Sequence, residues 1–200
     1  MARAFAVNWD YRCPFARNAH EHVVAGLRAG ADWQVDFLPY SLSEGHREDG
    51  DPPVWEDPDK AGDLLPMLAA IVVQERQPER FLDVHSALFQ ARHDQGRDLR
   101  REQVVSDVLS EAGADAAAVM QEVSSGWPLD AFRKAHEVSE SDYDVWGVPT
   151  FVVGDRAAFV RLMTRPSEDS DTSIDLIERV VGAVGGWTEV NELKHTTLDR

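Results

Sequence analysis

The order of periodicities along the chain limits its fold more than any other feature. Arg3 to Trp9 carries Phe5, Val7 and Trp9 at alternate positions, the pattern of a strand. Asp10-Tyr11-Arg12-Cys13-Pro14 breaks that pattern. Proline is tolerated at the first position of a helix, where its missing N–H would be unpaired anyway. A helix is therefore expected from Pro14 to about Ala29, with Val23, Val24 and Leu27 on its apolar face and Gly30 as its stop. Trp33, Val35 and Phe37 then alternate in a second strand reaching Tyr40. A β-α-β run this short favours two parallel strands joined by a right-handed crossover.

The stretch from Ser41 to Asp59, with Gly45, Gly50, Pro52, Pro53 and Pro58 among acids, reads as loop. From about Lys60 to Glu140 the spacing is helical throughout. Five helices are expected there: one carrying Leu64, Leu68 and Ile71, others opened by Pro78, Arg101 and Asp115, and a fifth opened by Pro128. Strand signals return at Val148–Val153 and Ala157–Arg161, around Gly154-Asp155, which reads as a hairpin. A last amphipathic helix carries Ile174, Ile177, Val181 and Val184, with Thr172 or Asp171 as its expected cap. The polar tail from Thr188 to Arg200 is open between short strand, coil and docked arm. The reading is an α/β chain: a thioredoxin fold with an inserted all-helical subdomain. Residues 1–59 and 138–200 form the thioredoxin-like domain, and 60–137 form the helical insertion.

Charge and cysteine usage remove several classes of function. The 20 lysines and arginines stand against 36 aspartates and glutamates, a formal net charge of −16. That balance lacks the basic footprint that collects phosphates, so no nucleic-acid partner is expected. An anionic membrane surface is disfavoured for the same reason. There is one cysteine, Cys13, which excludes an intramolecular disulfide and a four-cysteine zinc site. The opening Met1-Ala2-Arg3-Ala4-Phe5 holds no apolar stretch long enough for a signal sequence, and no run of about 18 apolar residues marks a membrane span. A lone thiol in such a chain points to a reducing, cytoplasmic compartment.

Cys13 precedes Pro14, at the expected N-cap of the first helix. Unpaired N–H groups and the helix dipole favour an anion there, so the thiol is expected to ionise more readily than a free cysteine. Arg12 and Arg17 would add to this if they face the sulfur. The plain alternative is a buried cysteine that packs as a small hydrophobe. Cys13-Pro14-Phe15-Ala16, after a strand and opening a helix, resembles the Cys-Pro-x-Cys active site of the DsbA family in the thioredoxin superfamily. Val145-Trp146-Gly147-Val148-Pro149-Thr150-Phe151 resembles that family's cis-proline loop. The helical insertion between the second strand and this loop fits as well. The chain looks similar to cytoplasmic actinobacterial DsbA-like proteins, some of which use mycothiol. Its architecture also resembles kappa-class glutathione transferases and 2-hydroxychromene-2-carboxylate isomerases.

The resemblance implies a site with Cys13 as nucleophile and Pro149 opposite it, Val148 offering backbone groups to a substrate. Tyr11, Arg12, Pro14, Phe15, Ala16, Arg17 and Trp146 are the remaining candidates for thiol or substrate binding. Ala16 stands where the family has its second cysteine, so a resolving thiol is missing and oxidation of proteins by disulfide donation is not expected. Monothiol chemistry remains: a thiol oxidoreductase or thiol transferase acting on small-thiol mixed disulfides or electrophilic small molecules. Mycothiol or glutathione would be co-substrate, with no tightly bound cofactor and no metal. A kappa-type transferase or isomerase is one alternative, and a non-catalytic thioredoxin-fold binding module is another. Homodimerisation is left open.

The histidines give weaker signals. His20 and His22 are two apart on one helix and face different ways, which argues against a zinc pair and for surface or rim positions. His85 and His93 lie two turns apart and either line a cleft or sit solvated or in the core. His136 approaches the junction between insertion and domain. The acidic loop Glu168–Asp171 reads as solvated surface, and no phosphate-cradling glycine motif is present.

Overall fold

A computed structural model describes residues 3–197 of the chain. Strand β1 (Arg3–Trp9), helix α1 (Pro14–Arg28) and strand β2 (Trp33–Pro39) form the opening unit. The two strands pair in parallel, with Val7 beside Phe37 and Trp9 beside Pro39. Gly30, at φ +87°, lets the chain leave α1 in a conformation that a side chain would resist. Strands β3 (Thr150–Val153) and β4 (Arg156–Phe159) make the hairpin, and β3 lies antiparallel to β1. The sheet order is β2-β1-β3-β4. Helix α8 (Ser170–Gly186) closes the domain against α1, β3 and β4. This is the α/β thioredoxin fold.

Every helix from α2 to α7 lies between β2 and β3: α2 (Leu42–Gly45), α3 (Ala61–Arg76), α4 (Phe81–His93), α5 (Glu102–Glu111), α6 (Ala116–Val123) and α7 (Trp127–Tyr143). The loop expected from Ser41 to Asp59 holds one helical turn, α2, because the Ser41 hydroxyl accepts from Glu44 N–H and caps it. Pro78 opens a 3-10 turn, Pro78–Arg80, before α4 begins. Helix α7 runs to Tyr143, past the division drawn at 137/138. The cap of α8 is Asp169 rather than Thr172 or Asp171: its carboxylate accepts from Asp171 N–H and from the Thr172 hydroxyl. The tail forms neither helix nor strand from Thr188 to Thr197, and 198–200 lie outside the described residues.

The sheet and the helical segment share one aromatic core. Trp9 and Phe37 reach from the sheet to Phe81 and His85 of α4, with ring centroids 5.1–6.2 Å apart. On the other flank, the segment between β4 and α8 is strapped along α1. Asn18 donates to the Leu162 carbonyl at 2.9 Å, His22 Nε2 lies 3.2 Å from the Thr164 carbonyl, and Arg165 pairs with Glu21. Arg17 holds Glu21 and Asp94 together, joining α1 to the end of α4. Helix α1 is thus fixed on two sides, and its first residue is fixed with it.

Close packing under α1 gives a test. A Cβ at Gly26 would lie 2.3 Å from the Trp33 ring. Helix propensity alone favours Gly26→Ala by about 0.8–1.0 kcal/mol. The clash reverses the sign, and urea unfolding is expected to show a net loss of about 1–3 kcal/mol.

Candidate active site at the start of the first helix

Cys13 is the N-cap of α1, at φ −88° and ψ 117°. Its Sγ accepts from Ala16 N–H at 3.4 Å, and its S–H donates to the Val148 carbonyl at 3.2 Å. The Val148–Pro149 peptide is cis. One sulfur therefore joins the helix start to the loop before β3. That loop is held from behind: the Thr150 hydroxyl donates to the Gly147 carbonyl, and the Tyr40 hydroxyl to the Val145 carbonyl. The turn before Cys13 is held by Asp10, whose buried carboxylate accepts from Arg12 N–H, the Arg12 guanidinium and Leu42 N–H.

Cys13 is only 7% exposed. Burial is the largest influence on it and pushes its pKa up, against the Ala16 and Phe15 N–H groups that favour the thiolate. Asp10 adds to the rise and Arg161 opposes it. The expectation of an easily ionised thiol is thereby corrected: desolvation outweighs the helix start.

The two arginines flanking Cys13 do not supply the missing charge. Arg12 is bound to Asp10, Ser43 and Asp63. Arg17 is bound to Glu21 and Asp94. Pro14 is exposed and Phe15 half-buried at the mouth, while Ala16 is fully buried behind the sulfur. Trp146 is 61% exposed, with its ring 4.7 Å from that of Phe159. The structure thus brings Cys13, Pro14, Phe15, Val148 and Pro149 together.

Tyr11 turns away from the sulfur. It is buried, and its hydroxyl lies 2.8 Å from His85 Nδ1. His85 Nε2 lies 2.9 Å from His20 Nδ1, and His20 Nε2 lies 3.0 Å from the Asn8 carbonyl. A carbonyl only accepts, so it fixes every tautomer along the chain. His20 Nε2–H donates to Asn8, His85 Nε2–H to His20, and Tyr11 O–H to His85. Burial lowers the pKa of His20 to about 4 and that of His85 well below the usual histidine value. His93 Nε2–H donates to the Tyr11 carbonyl, and His22 lies between Ser173 and Thr164. His20 and His22 are therefore buried, not on the surface or rim, because α1 is covered on both of those faces. His136 is buried beside Tyr40, with Nδ1 accepting from Ser41 N–H. Among the described residues, no group of three or more His, Cys, Asp or Glu side chains is gathered as metal ligands are.

Arg161 was not singled out by sequence reasoning. It lies just past β4, with its guanidinium 4.6 Å from the Phe15 ring centroid and 5.6 Å from that of Phe159. Nothing in its local spacing marks it. Its place over the mouth comes from the strapping of the 160–169 segment onto α1.

Comparison with known proteins bears on the family and the fold. The profile of a family described as a DSBA-like thioredoxin domain matches residues 7–173. Reduced DsbA1 from Neisseria meningitidis superposes with a TM-score of 0.60 at 16% identity, over 92% of this chain and 84% of that one. BdbD from Bacillus subtilis gives 0.60 at 14%, over 92% and 88%. A 2-hydroxychromene-2-carboxylate isomerase gives 0.64 at 13%, over 93% and 98%. No curated protein matches the sequence significantly. No described helix is long and apolar enough to cross a membrane.

Two outcomes follow from the buried histidines. Tyr11→Phe leaves His85 Nδ1 without a donor and is expected to cost about 1–3 kcal/mol in urea unfolding, with thiol alkylation at fixed pH changed by less than about twofold. The second concerns acid. His20 binds its proton in the unfolded chain near pH 6.5 and in the folded chain only near about 4. Its contribution is therefore complete above about pH 6.5 and is lost as pH falls toward about 4. Unfolding midpoints measured from pH 7 to 4 are expected to decline across that window.

Proposed function

The chain belongs to the DSBA-like thioredoxin family, and from that premise we propose that it is a monothiol thiol–disulfide enzyme with Cys13 as its nucleophile and a low-molecular-weight thiol as co-substrate. One observation carries this reading: the only thiol stands at the helix start against the Val148 carbonyl, while a fully buried alanine, Ala16, occupies the resolving position.

The chemistry closes without a second cysteine. Cys13 gives its proton to solvent, and the thiolate attacks the small-thiol sulfur of a mixed disulfide. A bond forms from Sγ to that sulfur, the original S–S bond breaks, and the other thiol leaves with the electron pair and takes up a proton. A second small-thiol thiolate then attacks the adduct, forming a symmetric small-thiol disulfide and returning Cys13. Such a cycle belongs in a reducing, cytoplasmic compartment. The Ala16 and Phe15 N–H groups favour the thiolate formed in each half.

The raised pKa of Cys13 favours a second reading. A sulfur that stays protonated can orient a bound small thiol rather than attack, as in a transferase or isomerase. One structural neighbour carries the name 2-hydroxychromene-2-carboxylate isomerase.

Turnover of mixed disulfides of glutathione and of mycothiol distinguishes the two readings. Cys13→Ser is expected to reduce turnover to the uncatalysed background. Stability should stay within about 1 kcal/mol, since serine caps a helix well. Persisting activity with a small-thiol conjugate in Cys13→Ser would overturn the nucleophile and support the second reading.

A further inference from the structure

We propose that Arg161 is the anion-recognition residue of this site, and that the small thiol or mixed disulfide taken by Cys13 carries a carboxylate. The inference rests on the reading of Cys13 as nucleophile and narrows its substrate class.

Most cations around the start of α1 are already paired. An open hollow of about 500 Å³ lies between Arg12 and α2, lined in part by Arg12, Ser43, His46, Arg47 and Lys60. Its cations are already matched: Arg12 with Asp10, Arg47 with Glu44 and Lys60 with Asp57. Arg17 is matched twice. Arg161 is exposed and has no carboxylate partner among the described residues. It is supported by rings, over Phe15 on α1 and Phe159 on β4. A guanidinium resting on aromatic faces keeps its N–H fork available, and that fork matches a carboxylate in two parallel bonds.

Arg161 is also held in place. Its neighbour Leu162 accepts from Asn18 of α1, Thr164 accepts from His22, and Arg165 pairs with Glu21. These grips follow α1 along its length, so the helix that presents the sulfur also positions the cation. Phe15, two residues from Cys13, is the direct link between them. In a chain with 36 acidic against 20 basic residues, an anion meets repulsion over most of the surface. An unmatched cation over Phe15, two residues from Cys13, selects the acidic thiols from the rest. The exposed Trp146, packed on Phe159, offers an apolar wall for the body of such a ligand.

The test uses two probes: glutathione disulfide and its tetraethyl ester, which lacks the four carboxylates and keeps both ammonium groups. Rates of Cys13 modification are read by intact mass for the unaltered chain, Arg161→Gln and Arg161→Lys. The unaltered chain is expected to react about tenfold or more faster with the acid than Arg161→Gln does, and the ester rates of the two to differ by less than about twofold. Arg161→Lys should retain part of the preference. Equal slowing with both probes in Arg161→Gln, or no slowing with the acid, overturns the proposal. A parallel arm measures S-methylglutathione and its diester binding to the unaltered chain and Arg161→Gln by calorimetry. Acid-selective binding that requires Arg161, with no Cys13 modification by either disulfide, sinks the nucleophile and keeps the anion site. Neither binding preference nor modification overturns both.

Discussion

A single sulfur atom joins the two halves of this site. Cys13 Sγ takes the orphan N–H of Ala16 as helix cap and donates its proton to the Val148 carbonyl. The first contact belongs to the β1–α1 unit, and the second belongs to the loop that enters β3. If either half moved, the sulfur would lose one partner in a setting that is nearly closed to water. Much of the surrounding structure holds those halves still. Asp10 ties the turn before Cys13 to the start of α2, Tyr40 and Thr150 tie down the Val145–Pro149 loop, and α1 is gripped by α4, α8 and the 160–169 segment.

The same closure sets the electrostatics. A helix start favours a thiolate, yet burial disfavours it more. Asp10 is needed to shape the turn, and its charge acts against ionisation. Arg161 acts the other way from across the mouth. The balance makes the thiol harder to ionise than a free cysteine. On this account, a ligand reaching Arg161 and the Val148 backbone meets a sulfur whose ionisation is held back by the site itself.

Much of the fold was legible because its signals are local. Alternation in Arg3–Trp9 and Trp33–Pro39, Pro14 at a helix start, and Gly154 in a hairpin each act over a few residues. The strand–Cys–Pro–helix junction and the Val148–Pro149 loop were legible for the same reason. What the sequence hid depends on distant partners. Tyr11 looked like a mouth residue by proximity to Cys13, but His85, 74 positions away, draws its hydroxyl into the core. His20 looked like a rim residue until α4 covered it. Arg12 and Arg17 flank the sulfur in sequence, yet Asp10 and Asp94 take their guanidinium groups. Arg161 gave no local signal at all, since its position is decided by the strap across α1.

The most direct measurement is the rate of Cys13 alkylation by a neutral reagent between pH 6 and 11, with intact mass read at each point. The account predicts a single titration with an apparent pKa above the free-cysteine value of about 8.5, because desolvation outweighs the helix start. A thiol titrating well below that value would contradict it, and would mean that the helix start and Arg161 together govern the sulfur.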